Sequence, residues 1–438
     1  MLRSLGIRVV ELEGLAAAPM AGMMLADLGA EVIRVDRPIA KTAETTGEET
    51  TTSGGPHVGT TTTSRGKKSV VLDLTQETQV EAFKTLVSKS DVVIEPYRAR
   101  VMESLGLGPD VLMGSEVNPS LIYARMTGYG QDSSKAQTAG HDINYLADTG
   151  LLDAFRRSSP HPTPPTPPIN LLGDMAGGGV MCAFGIVSAL LKQQADLAAS
   201  RPKEGVVIDA SMVQGAAYVS SFLYGLAQTP LYNPDTPGSN LLDSGAPFYD
   251  SYRARDGKWV AVGAIEPKFF AHLLAGLEIN PTTYDVREQY DPSTWPRLRS
   301  LFESVIGSRT QDEWASVFDG VDACLSPIPS LSDVLTDHRH PHNNQHNHHD
   351  APQPPPLPRF AQQPEGTIMP LPAPFTSSLS ESESESESES ESESESESEF
   401  NFAPQPEYGA DTQDVLTNVC NLDPSLVTSI INANQTHP

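Results

Sequence analysis

Cysteine is scarce in this 438-residue chain: three residues, Cys182, Cys324 and Cys420, odd in number, far apart, with no Cys-x-x-Cys pair. That argues against a disulfide framework or a cysteine-based zinc site and fits a reducing compartment. Long apolar runs are missing as well, so no segment reads as a membrane span. The sequence opens directly on a strand-like stretch, with no signal-peptide pattern. It closes on Thr436-His437-Pro438, which is not a Ser-Lys-Leu peroxisomal address. Positive charge is in deficit, 29 Lys and Arg against 56 Asp and Glu, for a formal net charge of −27. Ten of the glutamates sit in one run, Glu381 to Glu399, and without them the balance is −17. Such a chain disfavours non-specific nucleic-acid or anionic-membrane binding, while local basic clusters still leave room for an anionic ligand. Gly-x-Gly-x-x-Gly is absent from the first strand–helix turn, so a standard dinucleotide site is not expected.

What is present has a rhythm. Ile7 to Leu12 is apolar and β-branched, Ala16 to Leu28 has helix composition, and Glu31 to Val35 reads as a second strand. Strands at Ser69 to Leu74, Asp91 to Ile94, Leu121 to Met126 and Val206 to Asp209 continue the pattern. Helices are expected at Thr75 to Ser88, Met175 to Leu191 and Met212 to Leu226. Alternation of this kind predicts an α/β fold with a mostly parallel sheet, whose ligands bind where strands end and helices begin.

From about residue 230 the character changes. Phe248 to Arg253 and Trp259 to Val262 predict a hairpin across Asp256-Gly257. Helices follow from Glu266-Pro267 to Leu277, over Trp295 to Ile306 and over Thr310 to Phe318. The expected organisation is a large domain over 1–229, a smaller α+β domain over 230–330, a low-complexity linker over 331–405 and a C-terminal helical segment over 406–438. The linker holds six of the eleven histidines, between His338 and His349, and a strict Ser-Glu alternation from Ser380 to Glu399. Like charge at every second position prevents burial on either period, so this region is expected to be disordered. Ala40 to Thr63 should be an exposed loop, and Arg156 to Pro168, with six prolines, a stiff connection.

Three residues stand out for chemistry. His141 lies in the polar, glycine-containing stretch Ala139-Gly140-His141-Asp142-Ile143-Asn144-Tyr145. Asp174 lies in Asn170-Leu171-Leu172-Gly173-Asp174, just ahead of the expected helix. Glu266 sits where a strand gives way to a helix. A lone histidine is most often structural, and Asp174 and Glu266 each read also as a helix cap or dipole contact; beside these readings, His141 and Asp174 can serve as a pair of proton-transfer groups. Basic residues cluster as Arg34 and Arg37, then Arg65, Lys67 and Lys68, then Arg98 and Arg100. Arg37 and Arg98 lie just after strands, where a nucleotide phosphate would sit.

Taken together, these stretches resemble the α-methylacyl-CoA racemase branch of the class III (family III) CoA-transferase superfamily. Further matching stretches are Leu25-Ala26-Asp27-Leu28-Gly29-Ala30, Arg34-Val35-Asp36-Arg37-Pro38, Gly245-Ala246-Pro247-Phe248-Tyr249 and Val262-Gly263-Ala264-Ile265-Glu266-Pro267. The resemblance covers roughly residues 5 to 330. It implies a Rossmann-like large domain, an interlocked homodimer and an isomerase that inverts the α-carbon of 2-methylacyl-CoA thioesters through an enolate. His141 and Asp174 would be the proton-transfer groups, Asn170 would support Asp174, and Glu266 of the partner subunit would support His141. Arg37, Leu72, Asp73, Leu74, Thr75 and Arg98 would bind the CoA part, and Gly140, Asp142, Ile143, Asn144 and Tyr145 would line the thioester.

The resemblance implies no metal and no cofactor beyond the CoA of the substrate. It implies lipid metabolism in a peroxisome or mitochondrion, although no targeting signal is visible. Two alternatives remain open: a CoA-transferase with Asp174 as nucleophile, and a non-catalytic acyl-CoA-binding paralogue. Departures are Arg98-Ala99-Arg100, Met175-Ala176, the long proline-rich loop and the Ser-Glu tail.

Overall fold

A computed structural model describes residues 2–38, 63–158, 163–280, 284–336 and 407–435. Most of the Ala40 to Thr63 loop, the middle of the proline-rich connection, the histidine cluster and the Ser-Glu run lie outside the described residues.

The expected parallel sheet is present. Its strands are β1 (Arg8–Leu12), β2 (Glu31–Asp36), β3 (Lys67–Val71), β4 (Val92–Glu95), β5 (Ile122–Thr127) and β6 (Val206–Ser211). They lie in the order β3-β2-β1-β4-β5-β6, and every neighbouring pair is parallel. The direction of strand order reverses between β1 and β4, the crevice where open α/β sheets bind ligands. The central strands are buried on both faces, which explains their near-continuous Val, Ile and Leu. Helix α1 (Ala17–Asp27) covers one face, with Ala21 and Leu25 against Val9, Val32 and Ile122. Helix α2 (Glu77–Ser88) covers the other, with Phe83 and Leu86 against Val10, Ile33 and Val93.

The C-terminal segment packs on the α2 face through Val415, Leu416 and Ile430. It also covers the edge strand β3. Asp411 accepts the Ser69 N–H at 2.9 Å and the Thr412 hydroxyl accepts the Val71 N–H at 3.1 Å. Asn434 donates to the Val71 carbonyl at 2.9 Å. An edge that would otherwise expose its backbone groups is closed by the chain's own end.

Beyond α3 (Asp142–Thr149), the longest helix is α4, which runs without a break from Leu171 to Ala198. It starts four residues before the expected Met175 and ends seven after Leu191. It is 28 residues long and its most apolar 18-residue window has a mean hydropathy of 1.6, enough by length and composition to cross a membrane. The expectation that no such segment exists is corrected on that count: Asp174 and three glycines do not interrupt the helix. Here Cys182, Ala183, Ile186 and Leu190 face the sheet, as in a core helix. The single helix expected at Met212 to Leu226 is two, α5 (Met212–Val219) and α6 (Ser221–Leu226). They part at Ser220, which leaves helical geometry at ψ 14°.

The second core lies in residues 246–325. Strands β7 (Tyr249–Arg253) and β8 (Trp259–Gly263) form the expected hairpin, and β9 (Leu325–Ile328) adds a third strand antiparallel to β8. Helices α7 (Pro267–Gly276), α8 (Trp295–Ile306) and α9 (Gln311–Val317) pack on it through Phe270, Phe302 and Trp314.

Candidate active site

The site is built where α3 and α4 begin. His141 precedes α3 in extended geometry (φ −129°, ψ 176°), and its N–H donates to the Asn144 side chain at 3.1 Å. That bond fixes the turn and leaves the imidazole exposed. Tyr145, one turn further, is 8 % exposed; its hydroxyl donates to the Gly140 carbonyl at 2.5 Å and its ring meets Tyr129 edge-on at 5.1 Å. The turn carrying the histidine is therefore held from both sides.

Asn170 opens α4 from a left-handed conformation (φ 58°), which asparagine tolerates better than most residues. The first ten residues of the helix are wound wide, with the Met175 N–H reaching back to the Asn170 carbonyl at 3.1 Å. The Asn170 amide donates to Asp174 Oδ2 at 2.9 Å. Asp174 thus lies within the first turn of the helix and does not cap it. The cap is supplied from elsewhere: Asp142 Oδ1 accepts the N–H groups of both Gly173 and Asp174, each at 2.8 Å. Glycines permit the close approach. A Cβ at Gly177 would stand 2.4 Å from the Ala216 nitrogen, and one at Gly178 would stand 2.8 Å from the Ala17 Cβ. Those contacts press the wide turn against α1 and α5.

Asp174 is 6 % exposed. Burial and the neighbouring Asp142 charge push its carboxyl up to about 6, against the opposing effects of the Asn170 hydrogen bond and His141. This is the range in which an imidazole ordinarily titrates. Burial and the Asp174 charge likewise push the Tyr145 phenol up to about 12, so it stays a neutral donor.

A pocket of about 400 Å³ opens at the strand ends. Arg37, Leu72, Asp73, Leu74 and Thr75 line it. The Arg37 guanidinium lies 4.7 Å from the centre of the Tyr97 ring, and the Arg37 N–H donates to Glu13 at 3.1 Å. The Tyr408 hydroxyl donates to the Arg37 carbonyl at 2.5 Å, so the C-terminal segment also holds this corner. Arg98 does not line the pocket; it is exposed, and its charge acts on Tyr145. Within 140–145, Ile143 and Asn144 are exposed, whereas Asp142 and Tyr145 turn inward.

Glu266 is exposed at the start of α7. Among the described residues no hydrogen bond or ion pair joins it to His141. The loop before it is clamped by the second core. Gln289, 1 % exposed, donates to the carbonyls of Ala264 and Ile265 at 3.0 and 2.7 Å. The Tyr290 hydroxyl donates to the Ile265 carbonyl at 2.5 Å. Among the described residues no cluster of three or more His, Cys, Asp or Glu is placed to hold a metal ion.

Sequence reasoning missed Tyr97 and the inward role of Asp142. The signal for Tyr97 was its place directly after β4 in Glu95-Pro96-Tyr97, where its N–H donates to the buried Glu95 carboxyl at 2.9 Å.

The profile of CoA-transferase family III matches residues 5–374. Over 335 residues the chain is 44 % identical to alpha-methylacyl-CoA racemase of Homo sapiens, covering 76 % of this chain and 80 % of that protein. It is 31 % identical to Rv3272 of Mycobacterium tuberculosis, a probable fatty acyl-CoA transferase, over 73 % of this chain and 82 % of that one. A crystal structure of Rv3272 superposes with a TM-score of 0.59 at 27 % identity, covering 76 % of this chain and 85 % of that one.

Proposed function

The chain belongs to CoA-transferase family III, and within it we propose an isomerase that inverts the α-carbon of 2-methylacyl-CoA thioesters. The observation that carries this reading is the pair of turns described above. An exposed imidazole and a buried carboxyl with an imidazole-like proton affinity stand at neighbouring helix starts. Their charges act on each other.

Inversion of a carbon acid needs a base on one face and an acid on the other, with the roles exchanged in the reverse direction. One proton is held between the two groups. His141 takes the α-proton of the (2S) ester while protonated Asp174 delivers one to the opposite face; the (2R) ester reacts the other way. The enolate oxygen is stabilised by the N–H groups of Asp142 and Ile143, which in the first turn of α3 have no intrahelical acceptor. The Arg37 pocket holds the nucleotide end of CoA, and no cofactor is needed beyond it.

Glu266 of the partner subunit supports His141 in a homodimer. Its exposure and the rigid loop behind it suit a group presented to another chain. Apolar side chains left exposed on α4 to α6, Leu171, Phe184, Leu191, Tyr218 and Phe222, suit the same partner.

The test is α-proton exchange. The purified protein, with (2R)- or (2S)-2-methylacyl-CoA in deuterated water and no acceptor acid, should place deuterium at C2 and bring both isomers to one ratio. No exchange, with CoA transfer appearing once a free acid is added, would make Asp174 a nucleophile and the protein a transferase. Acyl-CoA binding without either reaction would leave a non-catalytic paralogue. Arg37→Ala should raise KM for the ester about 10- to 100-fold, the worth of one charge-assisted contact, with kcat changed less than about threefold. An unchanged KM would remove the nucleotide from this pocket.

A further inference from the structure

One buried side chain joins the turn that carries His141 to the turn that carries Asp174. Asp142 is 1 % exposed, and through Oδ1 it takes the N–H groups of Gly173 and Asp174. These belong to the first turn of α4, where no intrahelical carbonyl can reach them. A Cβ at position 173 would stand 2.5 Å from Oδ1, so only glycine lets the carboxylate come this close. The second oxygen, Oδ2, is buried with no hydrogen-bond partner among the described residues. An asparagine would accept both hydrogen bonds through its own Oδ1 and carry no charge. Capping therefore requires the shape of this side chain but not its charge, and a buried carboxylate oxygen without a donor is costly.

We propose that Asp142 is a positioning residue of the reaction: its carboxylate fixes the spacing of the His141 and Asp174 turns, and its charge biases the shared proton toward Asp174. The proposal deepens the racemase reading and rests on it. The groups that act on Asp174 are few. Asp142 and His141 face it from α3 and its approach, and Asn170 faces it from its own helix. Tyr145, also on α3, feels the Asp174 charge in turn. Against the glycines of this turn stand small or apolar side chains, Ala17 and Met20 from α1 and Met212 and Ala216 from α5. Among the described residues Asp142 is thus the one neighbour that raises the proton affinity of Asp174 by its charge; the other raising influence is burial itself. Without that charge the carboxyl would give up its proton more readily. It would then be protonated less often near neutral pH, and so be available less often to protonate the enolate formed from the (2S) substrate.

The experiment compares the full-length wild type with Asp142→Asn and Asp142→Ala. Two quantities are read: the pH dependence of kcat/KM for α-proton exchange, and the Asp174 carboxyl titration without substrate. The titration is followed by NMR on protein carrying ¹³C-carboxyl aspartate, with the resonance assigned from Asp174→Asn. Asp142→Asn keeps the strut. It should melt within a few degrees of wild type while the acid limb of the profile and the Asp174 titration both move down by about one pH unit. Its rate at the optimum should fall about tenfold. Asp142→Ala loses strut and charge together and should lose about 100-fold in kcat with KM little changed.

An unmoved acid limb and an unmoved Asp174 titration in Asp142→Asn would overturn the electrostatic part. Wild-type kcat in a folded Asp142→Ala would overturn the strut. If Asp142→Ala does not fold, the asparagine variant still decides. A wild type that exchanges no α-proton would sink the racemase reading, and the NMR titration would then judge the charge of Asp142 alone.

Discussion

Asp174→Ala ends inversion without ending all proton exchange. In the two-group scheme each face of the α-carbon has its own acid–base group, so removing one leaves the other able to act on its own side. With Asp174 gone, His141 can still take the proton of the (2S) ester and return a deuteron from solvent to the same face. The expected result is loss of (2S) to (2R) conversion by about 10³-fold, the usual weight of a positioned acid or base. Deuterium should still enter the (2S) ester with retention. From the (2R) ester, where Asp174 is the base, exchange should vanish. His141→Ala should show the reverse pattern. Mass spectrometry of C2 deuterium together with chiral separation of the two esters reads both quantities in one incubation. Equal loss of exchange from both isomers in both variants would contradict facial assignment to two separate groups. A transferase would give a third pattern, because its covalent chemistry on Asp174 labels no α-carbon in any variant.

The α/β architecture could be read before the structure because its signals are local. Val9 to Leu12 and Val32 to Val35 are apolar except for Glu11 and Arg34, Val92 to Ile94 is apolar throughout, and each is followed or preceded by a helix of suitable composition. The start of α4 could not be read in this way. Asp174 has the spacing of a cap for a helix beginning at Met175. The true cap is Asp142, 32 residues away in sequence from Asp174, and no local rule finds a cap at that distance. Gly177, Gly178 and Gly179 do not break the helix. They let it touch α5 and α1 closely, a fact of tertiary packing.

Strand β9 escaped for a related reason. It is four residues long, contains Pro327 and forms the edge of its sheet, the one strand position that accepts proline. At the site, the residue types were legible while their orientations were not. Gly140 to Tyr145 reads as one polar stretch, yet α3 turns Asp142 and Tyr145 inward and leaves Ile143 and Asn144 exposed.

The largest stability effect should come from a residue far from the chemistry. Lys67, at the start of β3, reaches across the sheet to Glu11 on β1. Its Nζ donates to Oε1 and Oε2 at 2.9 and 2.7 Å and to the Pro19 carbonyl of α1 at 2.9 Å. Both side chains are 0 % exposed. Gly22 of α1 makes room, since a Cβ there would stand 1.7 Å from Glu11 Oε2. On the strand between them Arg34 binds both oxygens of Asp36 at 2.7 and 3.0 Å, and the Ser69 hydroxyl donates to Asp36 at 2.5 Å. Glu11, Arg34 and Ser69 occupy one register line across β1, β2 and β3.

Burial pushes the Glu11 carboxyl up and the Lys67 ammonium down; their mutual attraction and hydrogen bonds are the main opposition, with smaller help from Arg34 on Glu11 and from Asp36 on Lys67. Lys67→Ala strands a carboxylate in the sheet and should cost about 3–5 kcal/mol. Glu11→Leu/Lys67→Met removes both charges and should cost much less, because well-packed apolar side chains can replace a buried pair. In the single variant Glu11 will bind a proton. A carboxyl raised above its unfolded value contributes most below that unfolded value, and its contribution is lost as pH rises through the folded one. Lys67→Ala should therefore lose less stability at pH 5 than at pH 8. Urea unfolding followed by tryptophan fluorescence and far-UV circular dichroism at both pH values measures this. A single variant as stable as the double would show that the pair is not holding β3 in place. The brace also bears on the chemistry: β2 leads directly into Arg37 and β3 into Leu72 to Thr75. A slipped β3 would carry Leu72, Asp73, Leu74 and Thr75 of the Arg37 pocket with it, so the single variant should lose ester affinity before it loses the His141 and Asp174 turns.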